Sequence, residues 1–201
     1  MKPKEKENNA KVSPKTVSVS AKILPPTVWI SANFAERWFA DTKSEAKTGK
    51  DHHSLRREIL FATCFLESYI YEWTRRVVGV EAINDYYPAT PRSEGDPRYR
   101  RRLKEKWRQI PGELQNDKKI SINSQLDLSK LGILLKYRNG LVHASASRPV
   151  TDDQPEEEKP FPSLEELKQL NPGWALDIAV DLVHQLHGAL GSTPPDYCIV
   201  D

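Results

Sequence analysis

The sequence predicts an all-α fold, an antiparallel bundle of about five helices, three long and two shorter. Three observations carry that prediction. Apolar residues recur at three- and four-residue steps through several long windows. Those windows are punctuated by helix start and stop residues such as Ser31, Asp51, Ser163 and Gly79. No stretch reads as a strand, and there is neither an internal repeat nor a glycine-rich phosphate loop.

Taken in order, residues 1–26 are lysine-rich, aperiodic and closed by Pro25-Pro26, which predicts a flexible basic tail. Ser31 is placed to cap a helix from Ala32 to about Glu45 with Phe34, Trp38 and Phe39 on its apolar side. Asp51 opens the longest helix, which runs to Val78 with Gly79 behind it. Leu55, Ile59, Ala62, Leu66, Ile70, Trp73 and Val77 form its core stripe. Glu67 lies off that stripe, in line with Leu60, Cys64 and Tyr71, and is expected to be half-buried. It either pairs with a neighbouring arginine at the rim or orients a group of the site below.

Tyr86 to Pro97 reads as a loop. Arg98 to Gln109 reads as a short basic helix, docked by Tyr99, Leu103 and Trp107 and stopped by Pro111 and Gly112. Residues 113–123 are expected to be irregular. A further helix starts near Asp127 and ends near Ser145. An acidic, proline-containing linker at 151–162 follows, then a capped short helix from Ser163 to about Leu170. The last helix starts at Pro172, carries Trp174, Ile178, Leu182 and Leu186 on its core side, and ends at Gly188 or Gly191. Residues 192–201 are expected to be a loose tail, leaving 27–191 as one helical domain.

Charge is more telling in its placement than in its sum of +2. Seven basic residues (Arg98, Arg100, Arg101, Arg102, Lys104, Lys106 and Arg108) stand against Glu105 alone, interleaved with aromatics. That pattern suits phosphate contact and base stacking, and equally suits a solvated helix face. Seven acids between Thr151 and Leu170 form the opposite patch. Asp152 to Glu158 could fold over a basic site as an RNA mimic, with a solvated hinge as the simpler expectation. Two cysteines, Cys64 and Cys198, make neither a disulfide framework nor a zinc spacing. With no signal-peptide pattern and no run of eighteen apolar residues, a reduced, cytoplasmic protein away from membranes is expected.

The stretch Lys136–Ser147, KYRNGLVHASAS, is chemically the oddest. Arg138 falls on the apolar stripe of Leu131, Leu135 and Val142, where an unpaired charge is costly and must find a partner or an anion. Asn139 and His143 are four apart and share a face. Arg138 and His143 are separated by roughly 140° around the helix, an angle the long guanidinium can bridge.

These residues resemble the ribonuclease motif of the HEPN ("higher eukaryotes and prokaryotes nucleotide-binding") domain family, in which Arg, often followed by Asn, precedes His by four to six residues. Here the pattern is Arg138-Asn139-Gly140-Leu141-Val142-His143. Ala62-Thr63-Cys64-Phe65-Leu66-Glu67-Ser68-Tyr69-Ile70-Tyr71-Glu72 is similar to the "A-x-x-F-L-E-x-x-I-x-E" helix common upstream of that motif. The resemblance implies a HEPN-like helical bundle acting as an RNA endonuclease that needs no metal or other cofactor. It implies Arg138, Asn139 and His143 as catalytic residues, Glu67 in support, and a two-fold dimer sharing one composite site. An antitoxin or other regulatory protein is an expected partner of a toxin or phage-defence enzyme of this kind. Antitoxin-regulated members often carry Tyr two residues after the His; Ser145 stands there, so nucleotidylation at that position is not expected.

Two rivals belong to other classes. In one, the fold is a non-catalytic nucleotide- or RNA-binding or dimerisation module in which Arg138 and His143 grip a ligand or pair with Glu67. In the other, Asp181, His184 and His187 on the last helix hold metal. A di-metal bundle needs matching carboxylates on other helices, and no second Glu-x-x-His exists, so no metal site is expected. His52 and His53 are expected at a helix start on the surface.

Overall fold

The computed structural model describes residues 34–48, 52–88, 96–142, 166–167 and 169–199. The basic tail, the Ser31 and Asp51 caps, His143 and the acidic linker all lie outside the described residues. Within them all regular structure is helical: α1 (Phe34–Thr48), α2 (His52–Val78), the single turn α3 (Ile83–Tyr86), α4 (Leu103–Asn116), α5 (Ser129–Val142) and α6 (Trp174–Leu190). None of these helices is long and apolar enough to cross a membrane.

α2 is the axis of the bundle. Its predicted stripe is its buried side: Leu55, Ile59, Ala62, Leu66, Ile70 and Trp73 are all closed to solvent. Gly79 ends it in the left-handed region at φ 86, donating its N–H to the Arg75 carbonyl at 2.9 Å, as a helix-terminating glycine does. α1 lies antiparallel on it, since Ala35 meets Glu72 at one end and Glu45 meets Arg57 at the other. α5 and α6 are also antiparallel, tied by Lys130–Asp181 and by the Tyr137–Trp174 ring contact at 5.2 Å. The pair α2 and α6 refines the antiparallel picture. Glu58 reaches the start of α6 and Tyr69 reaches His187 near its end, so these two helices run in the same direction.

Two buried glutamates of α2 lock its neighbours in place, Glu58 the parallel partner α6 and Glu72 the antiparallel α1. Gly173, at φ 91, occupies the position before α6 where a side chain would normally accept the first free N–H groups. It has none to offer. The Glu58 carboxylate of α2 does so instead, accepting from Gly173 (3.0 Å), Ala175 (2.8 Å) and Leu176 (3.1 Å). At the other end of α2, Glu72 accepts from Ala35 at 3.1 Å and so caps α1. Each carboxylate also faces the positive end of a helix dipole. Burial pushes both carboxyls upward in pKa, against the pull of these backbone donors.

Four expectations are corrected. The basic run is not one helix from Arg98: Pro97–Arg100 is a 3-10 turn, closed by Asp96 accepting the Arg98 N–H at 3.0 Å. Arg101 and Arg102 are then non-helical, with ψ of 126 and 160, and α4 begins only at Leu103, where Glu105 accepts the Arg102 N–H. Tyr99 therefore sits on the turn, 41% exposed, while Leu103 and Trp107 are buried.

Nor do Pro111 and Gly112 stop α4, which continues to Asn116. A helix-interior proline costs about 3 kcal/mol. The apolar stripe of Leu103, Trp107, Ile110 and Leu114 runs through it, and fully burying Ile110 and Leu114 returns about 1.5–3 kcal/mol each. Packing outweighs the local preference.

The third correction is that Pro172 precedes the last helix and does not open it. The fourth concerns 192–199, which are docked rather than loose. Cys198 is fully buried, Tyr197 packs on Phe39 with ring centres 6.0 Å apart, and His184 Nε2 lies 3.3 Å from the Cys198 carbonyl.

Candidate functional site

α5 is apolar nearly all round, yet it lies at the rim of the bundle against α2 and α6. Burial fades along one face of it. Leu131 is 1% exposed, Arg138 is half-buried, and Val142 is 47% exposed. Arg138 is therefore not core-facing as its place on the stripe suggested. Its guanidinium stands where the stripe emerges into solvent, which relieves the cost of burying a charge.

Arg138 Nη1 donates to Asn139 Oδ1 at 3.1 Å. No carboxylate among the described residues pairs with it, so most of its donors are available to an anion. Across from it on α2 is the half-buried Cys64. Burial pushes the Cys64 thiol up in pKa, the neighbouring Arg138 charge pulls it down, and the Glu67 carboxylate raises it further. The two segments that carry the HEPN resemblance, far apart in sequence, lie on α2 and α5, which pack against each other. His143 falls one residue past the last described residue of α5.

Glu67 is exposed and joined to α4 instead of Arg138: Lys106 Nζ donates to its Oε1. The same ammonium lies 5.6 Å from the centre of the Tyr87 ring, and Tyr87 meets Tyr71 edge-on at 5.0 Å. Glu67, expected to be half-buried and paired at the rim with an arginine, is instead exposed and paired with a lysine.

The other basic residues do not share one face. Arg98 forks onto Asp96 through Nε (3.0 Å) and Nη2 (3.1 Å) and donates to the Asp85 carbonyl at 3.2 Å. Arg101 is buried, with both terminal nitrogens on Glu113 and its Nε–H without a hydrogen-bond partner. Lys104 lies against α5, where a Cβ on Gly132 would come within 3.0 Å of its Nζ. Arg102 and Arg108 are exposed; the Arg100 side chain is outside the description. Of the seven, Lys106 is the one brought beside Glu67, and so to the neighbourhood of Cys64 and Arg138.

The residues of the metal rival point to different partners. His187 has both ring nitrogens engaged, Nε2 with the Tyr69 hydroxyl at 2.6 Å and Nδ1 with Ser192 Oγ at 2.8 Å. His184 faces the Cys198 carbonyl, and Asp181 holds Lys130 and Gln185. No His, Cys, Asp and Glu cluster suited to a metal ion occurs among the described residues.

Sequence reasoning missed the buried carboxylates and the Tyr69–His187–Ser192 chain. A signal was present for Glu58, which stands three residues after Leu55 and four before Ala62 and so lies on the core face. The cap-less Gly173 was its complement. Nothing local linked Tyr69 to a histidine 118 positions away. No family model, no curated protein and no solved structure matches the chain.

Proposed function

We propose that this protein is a HEPN-like, metal-independent RNA endonuclease whose site is the end of α5, with Arg138, Asn139 and His143 as its working groups. The observation that carries the reading is Arg138: a half-buried guanidinium without a carboxylate partner among the described residues, on a helix packed against the α2 segment that bears the second part of the resemblance. Such a planar, permanently charged fork fits two phosphate oxygens.

In the reaction, His143 takes the proton of the ribose 2′-hydroxyl, whose oxygen attacks the adjacent phosphorus. The P–O5′ bond breaks, the leaving 5′-oxygen takes a proton from water, and the products are a 2′,3′-cyclic phosphate and a 5′-hydroxyl. Imidazole suits the base because its ordinary pKa lies near neutrality. Arg138 stabilises the charge that builds on the non-bridging oxygens. Asn139 holds Arg138 through Oδ1 and keeps its NH2 group to donate to substrate. A second copy supplies the complementary groups across a two-fold axis, and the exposed Val142, one turn beyond Arg138 on α5, is an apolar residue open to such an interface.

The test is cleavage of mixed-sequence RNA in EDTA by the natural protein and by His143→Ala. Cyclic-phosphate ends from the first and none from the second are expected. Intact RNA with both, from folded dimeric protein, would put the RNA-binding module in place of the nuclease.

A further inference from the structure

Two ion pairs on α4 are built in opposite ways. In the Arg101–Glu113 pair the arginine side chain is buried, only 4% exposed, and anchored in the packing, while the Glu113 side chain is 34% exposed. Lys106 and Glu67 sit at the surface, their side chains 20% and 48% exposed. Water and salt screen a pair of that kind, so its mutual hold is weak and an incoming anion can replace one partner. An ammonium has three donors and no fixed plane, which lets Lys106 swing from a carboxylate to a phosphate oxygen without rebuilding its surroundings.

Position makes that exchange meaningful. Glu67 lies on the outward stripe of α2 together with Cys64 and Tyr71, and α5, which carries Arg138, packs on the same helix. Lys106 comes to it from α4, above the Tyr87 ring. The helices packed on α2 thus present a guanidinium on one, an ammonium on another, and on α2 itself a carboxylate that already occupies the ammonium.

We propose that Glu67 is an internal competitor for a phosphodiester, so that single-stranded RNA lying across α2 from Arg138 gains Lys106 as its second cation only by displacing this carboxylate. The inference rests on the RNA reading of Arg138 and adds to it a positioning contact with a built-in opponent. Glu67 sets how tightly the strand is held and how strongly that hold depends on salt. It takes no part in bond making.

The experiment measures binding of the full chain to a fluorescent 2′-O-methyl oligouridylate 12-mer over a range of salt, a probe that cannot be cut by 2′-hydroxyl attack. Glu67→Gln should bind about threefold more tightly than the natural protein, the size of an exposed ion pair. Its dependence of log affinity on log salt should steepen by about 0.7, the contribution of one more phosphate contact on a single strand. Glu67→Gln combined with Lys106→Gln should show neither gain, and Lys106→Arg should respond to Glu67→Gln as the natural lysine does. Equal affinities for the natural protein and Glu67→Gln, or a gain that survives Lys106→Gln, overturn the proposal. If Arg138→Gln removes binding while the Glu67 and Lys106 changes leave it untouched, the RNA site stands and the competitor falls. If the natural protein and all variants fail to bind, both fall together.

Discussion

Glu58 and Glu67 are nine residues apart on the same helix, and they are built for different work. Glu58 is fully buried and satisfied by three backbone N–H groups of another helix, leaving it nothing to offer a ligand. Glu67 is open to solvent and holds its partner loosely, and Arg138 on α5 is half-buried with donors to spare. Polar groups whose donors and acceptors are saturated inside the protein fix the fold. Those with unused hydrogen-bonding capacity at the surface are the ones available for chemistry. On that criterion the Tyr69–His187–Ser192 chain belongs with Glu58, and Arg138 with Glu67.

The sharpest way to break this division is to remove one member of each class. Glu58→Ala strands the first N–H groups of α6 in the core, and a loss of about 3 kcal/mol or more is expected in urea unfolding. A loss near zero would mean that water replaces the carboxylate and that the cap is ornamental.

The His187 chain should give the next largest effect, and it carries a pH signature. Burial, with His184 adding to it, lowers the His187 pKa below its ordinary 6.5. The unfolded chain then binds more protons than the folded one just below that value. The stability tied to His187 is thus fully present above 6.5 and is lost as pH falls through the window beneath it. Glu58 and Glu72, raised by burial, slope the other way, gaining stability as pH falls toward 4.5. The His187 share is therefore read as a difference. Between pH 6.5 and 5, the change in stability of the natural protein should be less favourable than that of His187→Gln by up to about 1 kcal/mol. Identical slopes for the two proteins would place the imidazole outside the folding balance.

Smallest in stability is Arg138→Gln, expected to fall within about 0.5 kcal/mol of the natural protein while RNA cleavage is lost. Were it as destabilising as Glu58→Ala, Arg138 would belong to the packing, and the distinction drawn here between the two faces of α2 would fail.

Much of this fold was legible in the sequence because it depends on patterns that repeat locally. The α2 stripe from Leu55 to Trp73 and the terminating Gly79 needed only periodicity and one conformational rule. α4 was misread where a local rule met a tertiary one: Pro111 argues against a helix, and the buried Ile110 and Leu114 overrule it. The candidate site was legible as composition. Arg138 and Asn139 stood out as polar residues in an apolar frame, and the structure puts them at the rim, where that frame opens. What could not be read were pairings across more than a hundred positions, such as Tyr69 with His187, because neither residue's neighbours specify the other. Lys106 with Glu67 was half-visible: a rim partner for Glu67 was expected, but the helix that supplies it was not identified.

The locking of α2 to α6 also has a consequence for the order in which the molecule is made. Glu58 finds its three donors 115 to 118 positions further along the chain. On the ribosome, α1, α2 and α4 are all outside the exit tunnel well before α6 is synthesised. Until then, Glu58 is a carboxylate with no helix to cap, and α5 lacks the neighbour against which Tyr137 rests. Closing so long a loop is slow compared with forming the α1–α2 hairpin. Docking of α6 is therefore late relative to the α1–α2 hairpin, and the surface around Arg138 takes its final support only once α6 has emerged.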